Sequence, residues 1–381
     1  MTTAYVVYED ALFVVDADRE SMVRERPFDS RTECVAVTGG AVLVGTFEDG
    51  LQRSTDGGES WARADGIEQD AVTSIAVAPD DPETVYAGTE PSRVYRSTDA
   101  GETFEPLDGL TTLPSSDEWS FPPRPDTHHV RWIEPDPGDP DLLHVAVEAG
   151  ALVRARLGAD GVEWTDRVPG ARLDTHTITT HPDRPGHAWV AAGDGYAETT
   201  DAGESWQHPQ AGLDHTYCWS VAVGLEKASS GRPTPRVLLS AATSAREAHR
   251  VGESYLYRRE GDTWERLDDR GIPTGEGCTG RCSNAVPTRP RCGPRTTTGC
   301  IGLTTAATLG PKSPLPGRSP SASRRVVGSR SSTDRGEHLR PGVQVPERDQ
   351  RRRCTNRSCG SNTAGVPTHR PANCSASAVS P

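Results

Sequence analysis

Lysine is almost missing from this 381-residue chain, which holds only Lys227 and Lys312, and methionine is equally scarce. No apolar run approaches the length of a membrane span, so no membrane partner is expected. The opening stretch, Met1 to Val15, alternates polar and apolar residues and has no basic start before a long apolar core. It does not read as a signal peptide, and the expected compartment is the cytoplasm. A formal net charge of -13 argues against nucleic acid as a partner, because such affinity comes mostly from cations that neutralise phosphates.

Aromatic residues are absent from one whole region: none of the Phe, Trp or Tyr side chains lies beyond Trp264. The charge divides near the same place. Residues 278–381 carry 17 Lys and Arg against 4 Asp and Glu, while residues 1–277 carry 24 against 50. The average therefore conceals a body near -26 and a tail near +13. Seven of the nine cysteines also fall in the tail, at 278, 282, 292, 300, 354, 359 and 374. A carboxylate-rich, lysine-poor body suits a protein kept soluble in concentrated salt, so the source is expected to be halophilic. A basic tail with nothing large to bury is expected to be disordered; a zinc module on Cys278, Cys282, Cys292 and Cys300 is the other reading of those residues.

What fills the body is a repeat. Arg53 to Trp61, Arg96 to Phe104 and Glu198 to Trp206 align without adjustment, each carrying Ser or Thr, Asp, Gly and an aromatic at fixed offsets. Short β-rich runs precede them, Ala41 to Gly45, Thr84 to Gly88 and Ala188 to Ala192, with Pro/Asp turn clusters further upstream. Within the motif Asp56, Asp99 and Asp201 can accept bonds from their own turn, helped by Ser54, Ser97 and Thr199. Gly58, Gly101 and Gly203 allow positive φ, and Trp61, Phe104 and Trp206 are placed to pack between neighbouring units. The motif reads as structural rather than metal-binding or catalytic.

These nine residues resemble the Asp-box, or BNR, repeat of sialidase-like β-propellers, including prokaryotic and haloarchaeal proteins labelled BNR-repeat or glycosyl-hydrolase-like. The resemblance extends over most of residues 1–277 through degenerate copies at Leu152 to Trp164 and Leu256 to Trp264. It implies an all-β propeller of four-stranded blades, with the box on an outer hairpin away from the substrate. Six blades are expected near 1–30, 31–66, 67–108, 109–170, 171–213 and 214–268, of a total of seven.

The seventh is expected in the tail, read one base out. Back-translation of the stretch from Thr296 to Gly310 into the shifted frame permits Asn-Asn-Arg-Gly-Leu-Tyr-Arg-Ser-Asp-Asp-Gly-Gly-Asp-Ser-Trp, an intact box at the spacing seen in frame. Upstream, Val286 to Cys292 permits Gly-Pro-Asp-Pro-x-Thr-Leu followed by Trp or Arg, which parallels Ala78 to Tyr86. Residues 278–381 are thus read as an out-of-frame last blade.

Propellers bind ligands at the central channel, beside the loops that lead into each innermost strand. Candidate residues there are Trp119, Arg124, His128, His129, Arg131, His176, His215, Tyr217, Trp219, Arg246 and His249. Equivalent placement would bring His128 or His129, His176 and His215 around one axis, where they could bind a metal or an anion, or act as bases. They could equally bond to loop backbone and merely close their blades. Arg124, Arg131 and Arg246 could meet an anion; Trp119, Tyr217 and Trp219 could stack on a sugar ring. A sialidase mechanism implies three arginines on the substrate carboxylate, a Tyr/Glu nucleophile pair and an Asp acid, yet no Arg-Ile-Pro start motif precedes the first box and no such pair stands out. Catalytic residues are not assigned, and no metal or cofactor is expected. The reading is a monomeric binding or scaffold propeller for a small molecule, a carbohydrate or a protein, with glycoside hydrolysis as the alternative; Cys34 and Cys218 are expected to be reduced, partly buried thiols.

Overall fold

The computed structural model describes residues 3–16, 18–19, 21–226, 234–268, 274–278 and 375–379, all within one compact unit. Each repeating segment forms one antiparallel meander. The first contains β1 (Thr3–Tyr8), β2 (Ala11–Asp16) and β3 (Ser21–Pro27). The second contains β4 (Thr32–Thr38), β5 (Ala41–Thr46), β6 (Leu51–Ser54) and β7 (Ala62–Arg63). The third runs through β8 (Ala71–Ala78), β9 (Asp81–Glu90), β10 (Val94–Ser97) and β11 (Glu105–Pro106), and the fourth through β12 (Val130–Asp136), β13 (Asp139–Val147), β14 (Ala151–Gly158) and β15 (Gly161–Thr165). The fifth has β16 (Thr175–Thr180), β17 (Ala188–Ala192) and β18 (Gly195–Thr199), with a bridge between Glu198 and Gln207 where a fourth strand would lie. The sixth has β19 (Tyr217–Glu226), β20 (Thr234–Ala242), β21 (Tyr255–Glu260) and β22 (Thr263–Arg266).

The last strand, β23 (Ser375–Val379), pairs antiparallel with β1 and takes the innermost place in the first sheet. Innermost strands then pack in the order β23, β4, β8, β12, β16, β19. Six meanders packed through their first strands are the blades of a β-propeller. The tail was expected to be disordered throughout; residues 279–374 lie outside the described residues, but 375–379 form β23. A backbone ladder needs N–H and C=O groups in register, not aromatic bulk, so composition alone does not exclude a strand there.

Burial falls from the inside outward, and the sequence shows why. β4 and β5 are near-continuous apolar runs buried on both faces between neighbouring blades, whereas β7 and β11 are exposed. The core is accordingly layered. Tyr5, Val7 and Leu12 meet Val35, Val42 and Val44 between the first two sheets, and Trp189, Ala191 and Tyr196 meet Val221, Leu239 and Trp264 between the last two.

The repeated hairpin turns lie between the third and fourth strands. In the first, Asp56 accepts from the backbone N–H groups of Glu59 and Ser60, both at 2.9 Å, and from the hydroxyls of Ser54 (2.7 Å) and Ser60 (2.5 Å). Ser54 Oγ in turn accepts from the Gly58 N–H at 2.8 Å. Asp99 and Asp201 repeat this pattern with Ser97 and Thr103, and with Thr199 and Ser205. In the two degenerate hairpins the closing indole reaches back to the preceding blade, Trp164 donating its N–H to Asp108 O and Trp264 to Pro209 O, both at 2.7 Å, whereas Trp61 donates to Gly58 O of its own turn at 3.3 Å. Gly66 permits one such approach. Its φ is +89°, and a Cβ there would stand 2.0 Å from the Phe104 carbonyl oxygen.

Candidate functional site

Every inner strand of sheets two to six begins with a β-bulge at the same place. Pairing slips between Thr32 and Cys34, Val72 and Ser74, Val130 and Trp132, Thr175 and Thr177, and Cys218 and Ser220. The extra residues are Glu33, Thr73, Arg131, His176 and Trp219. A bulge re-aims the side chain it carries, and its recurrence gives five equivalent positions at one end of the blades. All five residues are nearly buried. Hydrogen bonds beside the bulges tie successive blades: the Cys34 thiol faces Val72 O, Thr73 donates to Val130 O (2.7 Å), His176 Nδ1 to Cys218 O (2.7 Å) and Thr177 to Trp219 O (2.9 Å).

The same end carries the residues that follow each second strand, since Thr32 pairs with Thr46, Ala71 with Glu90, Val130 with Val147 and Thr175 with Ala192. Glu148 therefore sits beside Arg131. Its Oε2 lies 2.7 Å from His129 Nε2 and 3.5 Å from Arg131 Nε. Asp174, just before β16, has its Oδ1 3.7 Å from His176 Nε2 and accepts from the Ala149 N–H at 3.1 Å. Glu148, Asp174 and His176 present ligand atoms within 4.8 Å of one another. The two carboxylates are driven apart electrostatically. Burial opposes ionisation of Glu148, but His129, Arg131 and His176 overcome it and hold the carboxyl well below its ordinary range. Burial raises Asp174, which also faces the negative charges of Glu148 and Asp194, and His176 only partly offsets them.

An aromatic wall adjoins this centre. The His176 ring stacks on Trp219 (5.0 Å between centroids) and meets Tyr217 edge-on at 5.2 Å; Tyr217 OH lies 3.0 Å from His249 Nε2. His129, Arg131, His176, Tyr217, Trp219 and His249 thus form one connected group. His128 is half-buried beside His129, and its imidazole pKa is lowered by burial first and by the neighbouring His129 and Arg93 second.

Three candidates are placed otherwise than convergence would require. His215 does not join His129 and His176: it stacks on Tyr255 at 4.0 Å and bonds to Tyr257 OH, because its loop folds onto the third strand of its own blade. Trp119 is buried in the core between sheets three and four and donates its indole N–H to Ser115 at 3.1 Å, which removes it as a stacking platform. Arg246 is exposed and pairs with Glu247. Arg124 forms a two-pronged pair with Glu90 against the rings of Phe47 and Phe121. Arg124, Arg131 and Arg246 each face a carboxylate of the chain itself, so they do not form a cluster for an anionic substrate.

With this geometry in view, the chain can be set beside known proteins. No family profile and no curated protein matches it. Among solved structures it is similar to a GH74 enzyme described as ancestral (14% identity over 65% of this chain and 32% of that one, TM-score 0.49). It is also similar to the Niastella koreensis GH74 enzyme (18%, 68% and 41%, TM-score 0.37) and to Kuenenia stuttgartiensis hydrazine synthase (15%, 65% and 70%, TM-score 0.45). The chain spans about a third of the first of these enzymes and 41% of the second. These are likenesses of fold. Among the described residues no helix is long and apolar enough to cross a membrane.

Glu33, Thr73, Glu90, Glu148 and Asp174 were not among the candidate residues drawn from the sequence. In a chain with 54 Asp and Glu, a single carboxylate carries no signal of its own. Alignment of the repeats strand by strand does distinguish two of them, because Glu90 ends and Glu148 directly follows an apolar second strand.

Proposed function

We propose that the chain is a recognition propeller of the Asp-box type, acting in the cytoplasm of a salt-adapted cell, with a carbohydrate-like ligand bound where the inner strands begin. The observation that carries this reading is the contrast between two sets of equivalent positions. The outer hairpin turns repeat one chemistry, whereas the five inner bulges carry five different side chains. Repetition serves the scaffold and variation serves recognition. Internal pairing of the candidate arginines favours an uncharged polar ligand over an anion; the Tyr217 and Trp219 rings are nearly buried against His176 and His249, so they back the site and fix its histidines rather than stack on the ligand. Cys34, Cys218 and Cys278 are free thiols, as a reducing compartment requires. The tail belongs to the same reading as a last blade translated one base out.

One observation favours glycoside hydrolysis as the second reading. Glu148 and Asp174 approach within 4.8 Å, near the roughly 5 Å separation of retaining glycosidases, and environment pushes one toward the carboxylate and the other toward the acid. Titration of the protein with neutral oligosaccharides, followed by tryptophan fluorescence and by release of new reducing ends, separates the two. Recognition predicts a saturable change, at least tenfold weaker in Trp219→Phe, with no reducing ends released. Release of reducing ends that disappears in Glu148→Gln and Asp174→Asn establishes the hydrolase; no saturable change with any sugar overturns both.

A further inference from the structure

The centre on β16 has a feature that sugar recognition does not require. His176 is 1% exposed, and its Nδ1 lies 2.7 Å from a backbone carbonyl, which can only accept. Nδ1 therefore carries the proton, and in the neutral ring Nε2 presents a lone pair. No hydrogen-bond partner meets that nitrogen, although it is buried. It faces Asp174 Oδ1 at 3.7 Å, with Glu148 alongside. Two carboxylates beside this nitrogen call for a cation, either a second proton on Nε2 or a metal ion, and at 3.7 Å Asp174 Oδ1 stands too far to accept an N–H hydrogen bond. An imidazole whose far nitrogen is anchored on a carbonyl is also the usual arrangement of a histidine metal ligand, since the anchor fixes tautomer and ring orientation.

We propose that Glu148, Asp174 and His176 hold a first-row divalent cation, best matched by Zn²⁺. The ligands are His176 Nε2, Asp174 Oδ1 and Glu148 Oε1, because Oε2 of Glu148 already faces His129 and Arg131. Ligands about 2.0–2.2 Å from zinc stand about 3–4 Å apart, so the widest present separation, up to 4.8 Å, contracts by about 1–2 Å on binding. Three protein ligands leave a fourth position for water or a ligand, as in catalytic rather than structural zinc sites. The Ala149 N–H on Asp174 and the Cys218 carbonyl on His176 form the supporting shell. This proposal stands whether or not the neighbouring wall binds sugar.

The test must separate this site from the cysteine-rich tail. The full-length protein is alkylated first, which blocks accessible thiols; the buried Cys218 thiol, pushed up to about 12 chiefly by burial, stays protonated and unreactive. The alkylated protein is stripped with a chelator, dialysed to equilibrium against buffered Zn²⁺ and analysed for bound metal. The expected result is one Zn²⁺ per chain, with affinity reduced at least tenfold in Asp174→Asn and in Glu148→Gln and unchanged in Glu204→Gln, an exposed hairpin carboxylate. Asp174→Asn is nearly isosteric, and circular dichroism confirms that each variant is folded. Absence of zinc from the folded wild type, or equal zinc affinity in all three variants, overturns the proposal.

Discussion

Asp201 shows how much of this fold rests on single polar atoms. It accepts from the backbone N–H and the hydroxyl of Ser205 and from the hydroxyl of Thr199. Slight burial opposes its ionisation, but these bonds prevail and lower its pKa from 3.8 to about 2. A carboxyl depressed in the folded state contributes stability that is present above its ordinary pKa and lost as pH falls through the folded value. Asp201→Asn is therefore expected to lower the melting temperature at pH 7 by about 2–4 °C, a difference that shrinks between pH 4 and pH 2. Melting followed by circular dichroism across that range checks it; a deficit independent of pH contradicts the role of the charge. The residues of the turn were legible in sequence because their chemistry is local. Glu148, Asp174 and His176 were not legible as a set, since their meeting depends on two blades packing side by side, and His215 was misplaced for the same reason.

At the scale of elements, strands and turns followed from composition. Buried inner strands appear as apolar runs, and hairpins as Asp-Gly turns ending in an aromatic. Two features were not legible. The bulges depend on pairing between strands, and nothing in Thr32 to Cys34 or Val130 to Trp132 announces the slipped register. β23 depends on a contact between the two ends of the chain. Its place beside β1 is the position that closes a ring, because it gives the first sheet an inner strand supplied from the far end of the sequence. Among the described residues, no packing comparable to that between the other blades joins β19 to β23. A seventh blade belongs in that interval under the frame-shift reading. Shifting the reading frame near codon 277 by one base also replaces Ser375–Val379, so an in-frame strand must take the place of β23; the shifted chain is then expected to melt at higher temperature and aggregate less, through removal of exposed sheet edges. Equal melting temperatures and soluble yields for the two chains contradict it.

Over the whole molecule, the split between an acidic body and a basic tail separates a scaffold of repeated blades from a segment of foreign composition. Within the body the repeat fixes architecture, and departures from the repeat mark the candidate site. The described structure offers a hollow elsewhere: a cavity of about 470 Å³ lined by Tyr5 of the first sheet, Val37 and Thr38 of the second and Pro82 of the third. That hollow makes the central claim, recognition at the bulged ends of the inner strands, decidable by one measurement. A crystal of the protein soaked with the oligosaccharide that perturbs tryptophan fluorescence most strongly is expected to show the sugar against Arg131, His176 and Trp219. Sugar in the cavity beside Tyr5 and Val37, with the bulged ends empty, would contradict the account.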